Sequence, residues 1–291
     1  MPIFENKMNT LPSYRWRKAH ETEKFMGEMF LREREKYCVS ACARFRNLNF
    51  VEDHAWVLSS TSLQTAAMIL HSRRTIFPVF NGITKLNIPT HLYRALSTIK
   101  IHALHGLAAE IDTLLKILAP LSLKPTEHTD YYLMALDSVN DLKSVKAPPK
   151  GITLRRPKRE DIERLLPIQA AYEREEVLPA GAILDPVSCR FNLQRILTKE
   201  QALIAEINGK IVGKINTNAN AYSRCQIGGV YVLPEYRGSG IASCMTAAFV
   251  RLLLAEGLGM TLFVRKHNEA ALRTYLSAGF KNEADYKIVY L

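Results

Sequence analysis

A glycine-containing turn at residues 237–242, with the sequence RGSGIA, has the composition of an anion-binding loop. The start of a helix leaves backbone N–H groups without intrahelical partners and carries the positive end of the helix dipole. Glycine lets the backbone approach an anion without a Cβ in the way. Arg237 adds a positive charge, and Ser239 can either cap the helix or bond the same anion. These groups together could hold a pyrophosphate; an ordinary strand-to-helix turn is the alternative.

The turn lies between a predicted strand and a predicted helix. Residues 229–232 are apolar and rich in β-branched side chains, which is typical of a buried strand. Pro234 cannot donate to a sheet ladder, so the strand is expected to end there. The next apolar residues recur at helical spacing, at Ile241, Met245, Ala248, Phe249 and Leu252. The sequence therefore predicts strand, glycine-rich turn and helix over residues 226–250.

The spacing R-x-x-G-x-A, from Arg237 to Ala242, resembles the coenzyme A loop Q/R-x-x-G-x-G/A of the GNAT acetyltransferase superfamily. The segment fits neither the Rossmann pattern nor the P-loop pattern. A second part of the chain fits the closing pattern of that superfamily, N-x-x-A-x-x-x-Y-x-x-x-G-F, at Asn268, Ala271, Tyr275, Gly279 and Phe280. Two matches in the right order, about one helix and one strand apart, make the C-terminal half similar to this superfamily.

The resemblance implies a GNAT acyl-CoA N-acyltransferase fold, which is an α/β fold with a mixed sheet. Over residues 152–291 the predicted element order is β-α-α-β-β-β-α-β-α-β, which matches that fold. In the superfamily two parallel strands diverge, and acetyl-CoA lies in the gap; here these strands would be residues 229–232 and 261–264. Gly228 and Gly229 suit a β-bulge that would help the strands to diverge.

The resemblance also implies the residues of the site. Backbone groups of Val230 and Val232 would face the pantetheine arm and the thioester carbonyl, where a fixed N–H would stabilise a tetrahedral intermediate. Tyr275 would be the catalytic acid that protonates the leaving thiolate; a packed aromatic is the alternative. Asn268 would either bond the pantetheine arm or only cap its helix. The full set implied to bind acetyl-CoA is Val230, Tyr231, Val232, Arg237, Gly238, Ser239, Gly240, Ile241, Ala242, Ser243 and Asn268.

A general base is missing from its usual place. Many members of the superfamily carry Glu on the strand before the phosphate loop, whereas residues 225–232, CQIGGVYV, contain no carboxylate. A water chain, Tyr231 or one carboxylate of an acidic cluster could accept the proton instead. That cluster consists of Glu173, Glu175 and Glu176.

Two functions of different classes follow from these residues. The first is an acetyl-CoA-dependent N-acetyltransferase, in which an amine of a small molecule or a protein attacks the thioester directly. The alternative is a non-catalytic module that binds acetyl-CoA or serves a regulatory role. The sequence does not name the acceptor or the oligomeric state.

Length and composition agree with a globular protein of two domains. The 291 residues are 47% hydrophobic and carry a net charge of +11, which is spread over both halves and so argues against nucleic-acid binding. No apolar run is long enough for a membrane span, and residues 1–10 lack the apolar core of a secretory signal. Five scattered cysteines predict free thiols and a cytoplasmic location. No metal site is predicted, because Cys38 and Cys42 lack the second half of a zinc site.

We predict an N-terminal mixed α/β domain over residues 1–145, a linker at 141–151 and a GNAT domain over 152–291. The N-terminal domain is interpreted as a degenerate copy of the GNAT fold or as an unrelated α/β domain. Its segment 99–118 has the strand–Gly–helix order of residues 226–250. The elements predicted in the first domain are a helix at 13–36, strands at 56–59, 76–80, 99–104 and 131–136, and a helix at 107–118, with 32–36 as a solvated face and Pro78 at a sheet edge or bulge.

Further elements are predicted in the second domain. Asn208 and Gly209 predict a tight turn between two strands, at 202–207 and 211–221. On the second of these strands, alternation places three asparagines on one face, as a solvated surface or as a polar wall for an acceptor. They are Asn216, Asn218 and Asn220. The other predicted elements are a strand at 152–157 and helices at 158–172 and 187–197.

Overall fold

The computed structural model describes residues 14–60, 64–143, 149–178 and 181–291. They divide into two compact units: unit 1 comprises the described residues up to Asp130 together with Asp285–Leu291, and unit 2 comprises Tyr131–Ala284. The sequence instead predicts residues 131–145 in the first domain and 285–291 in the second. The strand pairings described below account for this difference. None of the helices formed by the described residues is long and apolar enough to cross a membrane.

Unit 1 is a mixed sheet covered by helices. In the order β1-β2-β3-β4-β5, only β4 and β5 are parallel, and residues 286–290 pair antiparallel with β5. The strands are β1 (Arg15–Lys18), β2 (His54–Ser59), β3 (Thr65–Ser72), β4 (Thr75–Val79) and β5 (Ala103–Leu107), and the helices are α1 (Lys24–Arg32), α2 (Val39–Arg46), α3 (Thr90–Thr98) and α4 (Ala108–Leu118).

Unit 2 also combines parallel and antiparallel strands, and in it residues 131–136 pair antiparallel with residues 260–265. The remaining elements are β6 (Glu127–Leu136), β7 (Ile152–Arg155), α5 (Ile162–Tyr172) with a π-helical turn at Glu173–Val177, α6 (Pro186–Lys199), β8 (Ala202–Ile207), β9 (Lys210–Asn220), β10 (Arg224–Val232), α7 (Ile241–Ala255), β11 (Gly259–Arg265), α8 (Glu269–Ala278) and β12 (Lys281–Tyr290). The strand order is β6-β11-β10-β9-β8-β7, and only β10 and β11 are parallel. This order confirms the mixed α/β fold predicted for the C-terminal half.

The two units repeat one order of elements. Unit 1 runs β4-α3-β5-α4 and unit 2 runs β10-α7-β11-α8, and the two strands of each run are parallel neighbours. By this order the counterpart of residues 226–250 is 75–98. Residues 99–118 do have the predicted order of strand, Gly and helix, in β5 and α4. Pro78 does not lie on an edge strand, because β4 is flanked by β3 and β5; the β4–β5 ladder ends at Ile76, so no partner on β5 needs the missing N–H.

The N-terminal segment differs from the single predicted helix. Residues 15–18 form strand β1, in which Trp16 is buried and pairs with Leu58, and the α-helix spans only α1. Residue 13 lies outside the described residues. Glu35 is only 4% exposed, so the predicted solvated face at 32–36 was wrong at that position. The charged residues around Trp16 hid a strand whose burial depends on a distant partner.

Helix α7 packs on the sheet of unit 2 through one apolar stripe. Its buried side chains include Ile241, Met245, Phe249 and Leu253, at a spacing of four residues. Leu252, which the sequence analysis grouped with this stripe, is 36% exposed. Each fully buried large apolar side chain contributes about 1.5–3 kcal/mol of transfer free energy, so this stripe fixes the helix firmly. Its N-terminus is thereby held close to the end of β10.

The hairpin β8–β9 turns at Asn208 and Gly209, whose φ values of 48° and 75° suit the predicted tight turn. The asparagines of β9 do not share one face, because the pairing with β10 shifts register at Asn218. Beyond this bulge Asn220 donates to Glu200 Oε2 at 2.8 Å, whereas Asn216 donates to Asn218 and is 1% exposed. The predicted solvated face was therefore wrong for Asn216.

Candidate functional site

The turn before α7 is an open cradle of backbone groups. Gly238 and Gly240 have φ values of +76° and +85°, in the left-handed region that favours glycine. A Cβ built on either residue would find no other atom within 4 Å, so the space in front of the turn is free for a ligand. Gly240 is also the N-cap of α7 and places this turn at the positive end of its dipole.

Six consecutive N–H groups line this cradle. Among the described residues, the backbone N–H groups of residues 238–243 donate to no other group of the chain, and the first bond of the helix runs from Cys244 N to Gly240 O at 3.0 Å. Unpaired N–H groups at a helix start bind anions, and phosphates in particular. The residues that offer such N–H groups to an anion are Gly238, Ser239, Gly240, Ile241, Ala242 and Ser243.

The two polar side chains of the turn are held by neighbouring groups. Ser239 Oγ donates to Tyr236 O at 2.6 Å and does not cap α7. Arg237 donates from Nε to Val232 O at 3.0 Å and from Nη2 to Glu175 Oε2 at 2.7 Å. Its guanidinium therefore lies at the end of β10, where it is about half exposed.

Strands β10 and β11 diverge where the resemblance places the thioester. Their ladder ends at the pair Ile227↔Leu262, although both strands continue. The pairing of β10 with β9 gains one residue between Gly228 and Tyr231, which confirms the predicted bulge. Val230 lies inside the bulge and has no ladder partner on β11. Its backbone therefore borders the gap between the diverging strands.

A lysine that the sequence analysis did not select lies behind this bulge. Lys214 is 4% exposed and donates to Gly229 O at 3.1 Å and to Asn216 Oδ1 at 2.9 Å. Burial lowers the pKa of Lys214 to about 7, although the nearby charge of Glu173 opposes the shift. The signal in the sequence was a single lysine within the apolar run of β9, IVGKI.

Tyr172, at the end of α5, completes the support of the bulge. Its hydroxyl accepts a hydrogen bond from Gly229 N at 3.3 Å, and its ring centroid lies 4.5 Å from Lys214 Nζ. Burial raises the pKa of Tyr172 to about 12. This tyrosine was also missed, because its partner is 57 residues away in the chain.

Tyr275 lies on α8 with its ring in the core and its hydroxyl unengaged. The side chain is 7% exposed and packs edge-on against Phe280 at a centroid distance of 6.0 Å. Within the described residues its hydroxyl forms no hydrogen bond. Burial raises the pKa of Tyr275, and the neighbouring Tyr172 and Glu176 raise it further. The hydroxyl thus keeps its proton near neutral pH, as a proton donor must.

The three glutamates of the acidic cluster have different environments. Glu173 is buried and accepts hydrogen bonds from Gln169 at 2.8 Å and from Asn192 at 3.3 Å. Glu175 accepts from Tyr231 and from Arg237; burial alone would raise its pKa, but these two bonds hold the pKa of Glu175 below its usual value. Two of the three candidates are thus committed to other groups.

Glu176 differs from Glu175 in the direction of its pKa shift. Burial raises its pKa; Arg265 opposes the shift, and the charge of Glu175 adds to it. Its carboxylate lies 3.5 Å from Asn268 Nδ2, a long contact. Tyr231 is a poorer candidate, because burial and Glu175 raise the pKa of Tyr231 to about 12.

Asn268 is the N-cap of α8. Its Oδ1 accepts a hydrogen bond from Ala271 N at 3.1 Å. The amide nitrogen points to Glu176, so the two ends of this side chain link the start of α8 to the acidic cluster.

Known proteins are similar in sequence to part of this chain. A profile of the acetyltransferase (GNAT) family matches residues 165–280. An acetyltransferase of Yersinia pestis is 30% identical over 88 residues, which are 29% of this chain and 60% of that protein. The chain thus spans less than two thirds of the length of this curated relative.

Solved structures extend the likeness of fold to most of the chain. A GCN5-related N-acetyltransferase from Sphaerobacter thermophilus has a TM-score of 0.61 at 16% identity and covers 96% of each chain. A tandem GNAT protein from the clavulanic acid biosynthesis pathway has a TM-score of 0.60 at 13% identity and covers 96% of this chain and 98% of its own. At such identities the likeness concerns the fold alone, and it agrees with the repeated element order of units 1 and 2. We conclude that residues 165–280 form a domain of the GNAT acetyltransferase family.

Proposed function

We propose that the protein is an acetyl-CoA-dependent N-acetyltransferase that acts on the amine of a small molecule or a protein. The observation that carries the proposal is the cradle of six unpaired N–H groups at residues 238–243, placed at the start of α7 beside the diverging strands. The five cysteines are all free, which supports a cytoplasmic location.

The cradle would bind the pyrophosphate of acetyl-CoA. Gly238 and Gly240 leave the necessary space. The dipole of α7 would stabilise an anion near the start of the helix by about 0.3–1 kcal/mol. Arg237 would contribute its charge from the end of β10, and Val232 lies directly behind it. Asn268 would meet the pantetheine arm with its amide nitrogen while its oxygen caps α8.

The acetyl group is transferred by direct attack of the acceptor nitrogen on the thioester carbon. The N–C bond would form first and give a tetrahedral intermediate, while the amine proton goes to Glu176 directly or through water. The C–S bond would then break, and Tyr275 would protonate the leaving thiolate. The Val230 N–H stabilises the charge that develops on the carbonyl oxygen. The raised pKa values of Glu176 and Tyr275 support these roles, because a raised pKa makes a carboxylate a better proton acceptor and keeps a phenol protonated.

Titration calorimetry with acetyl-CoA tests the cradle through two glycine variants. Gly240→Glu places a side chain and a negative charge among the N–H groups, so we expect the affinity to fall by at least about tenfold. Gly257→Glu is the matched control, because Gly257 has a φ of +75°, has equally open surroundings and follows the other end of α7. This control should bind as the wild type does. Unchanged affinity in Gly240→Glu would overturn the cradle, and no binding by the wild type at millimolar acetyl-CoA would overturn the function.

A further inference from the structure

The ammonium group of Lys214 is buried and donates to a backbone carbonyl of the bulge. The side chain is 4% exposed, and Nζ donates to Gly229 O at 3.1 Å, to Asn216 Oδ1 at 2.9 Å and faces the Tyr172 ring. Burying a charged amine is unfavourable unless it is hydrogen-bonded. The hydrogen bond to Gly229 O links this buried charge directly to the bulge of β10.

That carbonyl belongs to the peptide group whose N–H is the amide of Val230. The described residues contain no cis peptide bond, and in a trans peptide the C=O and N–H bonds point in opposite directions. With Gly229 O directed at Lys214, the Val230 N–H points away from this lysine. A positively charged donor at the carbonyl oxygen also polarises the peptide group and makes its N–H a stronger donor.

The peptide on the other side of Gly229 is held as well. Gly229 N donates to Tyr172 Oη at 3.3 Å, and the residue has a φ of +58°. A Cβ on Gly229 would lie 2.0 Å from Asn216 Oδ1 and 2.7 Å from Lys214 Nζ. Asn216 and Lys214 on β9 therefore leave room only for a glycine at position 229. Their contacts with Gly229 fix the orientation of the Val230 amide.

We propose that Lys214 is a positioning residue, which holds the Gly229 carbonyl and so aims and polarises the Val230 N–H toward the thioester carbonyl. The inference rests on the proposed acetyl transfer for its catalytic meaning. The orientation of the amide is independent of it, because it belongs to the protein without any substrate.

The surroundings of Lys214 make this device sensitive to pH. Burial lowers the pKa of Lys214 to about 7. The groups that face it are Tyr172 from α5, Glu173 from the π-helical turn, Cys189 from α6 and Asn216 on its own strand; among these Glu173 and Cys189 favour the charged amine. The amide of Val230 should then feel a full charge below about pH 7 and a neutral amine well above it.

The test follows the Val230 amide by NMR during a pH titration without acetyl-CoA. In the wild type we expect its proton and nitrogen shifts to titrate with a midpoint near about pH 7. Lys214→Met removes both donor and charge, and Lys214→Gln keeps an N–H donor that does not titrate; both should abolish the titration. Lys199→Met, which removes an exposed lysine of α6, is the control and should keep it. A Val230 amide that does not titrate in the wild type, or that titrates equally in Lys214→Met, would overturn the inference.

Kinetics on the same variants connect the device to catalysis. We expect Lys214→Met to lower kcat by about 10- to 100-fold at pH 6.5, with Lys214→Gln between it and the wild type. Without Lys214 the Val230 N–H is no longer held in place, so it stabilises the charge on the carbonyl oxygen less well. The affinity for acetyl-CoA should stay the same, which separates this effect from unfolding. Wild-type kcat in Lys214→Met would contradict the role of Lys214. If the wild type itself transferred acetyl to no amine, the proposed function would fail, and the NMR titration would still decide whether Lys214 aims the amide.

Discussion

Burial acts on two ionisable side chains of the site in ways that suit their proposed tasks. The hydroxyl of Tyr275 keeps its proton, because the charged form is disfavoured in the core. The amine of Lys214 loses its proton more easily for the same reason, and its pKa falls to about 7. Burial thus keeps the hydroxyl of Tyr275 protonated and brings the change of charge of Lys214 close to neutral pH.

The proposed acid can be removed without disturbing its packing. Tyr275→Phe keeps the ring against Phe280 and deletes only a hydroxyl that forms no hydrogen bond among the described residues. We expect kcat to fall by about 10²-fold, the usual effect of losing a general acid, with an unchanged Kd for acetyl-CoA. Tyr132→Phe in β6 serves as the control and should retain activity. Unchanged turnover in Tyr275→Phe would remove this residue from the mechanism.

Lys214 should also give the stability of the protein a measurable pH dependence. Its pKa is about 7 in the folded state and near the ordinary 10.5 in the unfolded state, so between these values the unfolded chain binds more protons. The free energy of unfolding should therefore rise with pH from about 7 toward 10.5, by up to about 1.4 kcal/mol per pH unit.

Urea denaturation at pH 7, 8 and 9 measures this slope in the wild type and in Lys214→Met. The difference between the two isolates the lysine from the other titrating groups. We expect Lys214→Met to be the more stable at pH 7 and its advantage to shrink as the pH rises. A difference that is the same at each pH would show that Lys214 has an ordinary pKa.

The sequence predicts the residues of the cradle but not the side chains that contact the bulge. Arg237, Gly240 and Asn268 stand in local patterns, and a turn at a helix start determines its own N–H groups. Lys214 meets Gly229 across 15 residues, and Tyr172 meets it across 57. Such partners depend on strand register, which periodicity alone does not specify.

At the scale of the elements, the bulge in β10 is what opens the sheet. It adds one residue opposite β9, directly after the ladder between β10 and β11 has ended at Ile227. The glycine at position 229 makes this possible, because its φ is positive and its neighbours leave no room for a Cβ. The gap of the sheet and the orientation of the Val230 amide therefore have one common cause.

Two glycine-to-alanine variants separate crowding from backbone strain. Gly229→Ala brings a Cβ into Asn216 and Lys214, so we expect the free energy of unfolding to fall by about 2–3 kcal/mol. Gly257→Ala has a similar positive φ but open surroundings and should cost only about 1 kcal/mol. Chemical denaturation of both variants makes the comparison. Equal losses would mean that the fit between Gly229 and its neighbours adds nothing beyond strain.

The elements that sequence patterns predicted best are those with strong local signals. The hairpin β8–β9 has a turn pair with positive φ, and α7 follows a glycine turn and carries a regular apolar stripe. Strand β1 was missed because Trp16 alone among its four residues is buried, against β2. Residues 99–118 share the strand and helix order of 226–250, but a strand followed by a helix occurs twice in each of these runs, so the order alone does not identify the counterpart.

Among the described residues of the whole molecule, the N–H cradle with its glycine turn lies in unit 2. In unit 1 the corresponding helix α3 follows the residues KLNIP at 85–89, which lack the glycine turn. The N–H groups of Phe80 and Asn81, just after β4, donate to the carboxylate of Glu110 at 2.7 and 3.0 Å. A carboxylate of the chain itself thus satisfies donors at the end of this strand.

One acetyl-CoA should therefore bind to each chain. We expect calorimetry to give a stoichiometry of about one, since the donors after β4 are already satisfied within unit 1. Gly240→Glu should then abolish the whole binding signal rather than half of it. Two equivalents per chain, or a remaining site of unchanged affinity in Gly240→Glu, would contradict this assignment and make unit 1 a second site.

Release of free thiol from acetyl-CoA in the presence of acceptors measures whether the protein transfers acetyl groups to an amine. The panel should contain small amines, polyamines, amino acids and peptides, each compared with a reaction that lacks an acceptor. We expect one class to stimulate thiol release, with the acetylated product visible by mass spectrometry and the stimulation lost in Tyr275→Phe. Tight binding of acetyl-CoA without stimulation by any class would contradict the enzyme and favour a module that only binds acetyl-CoA.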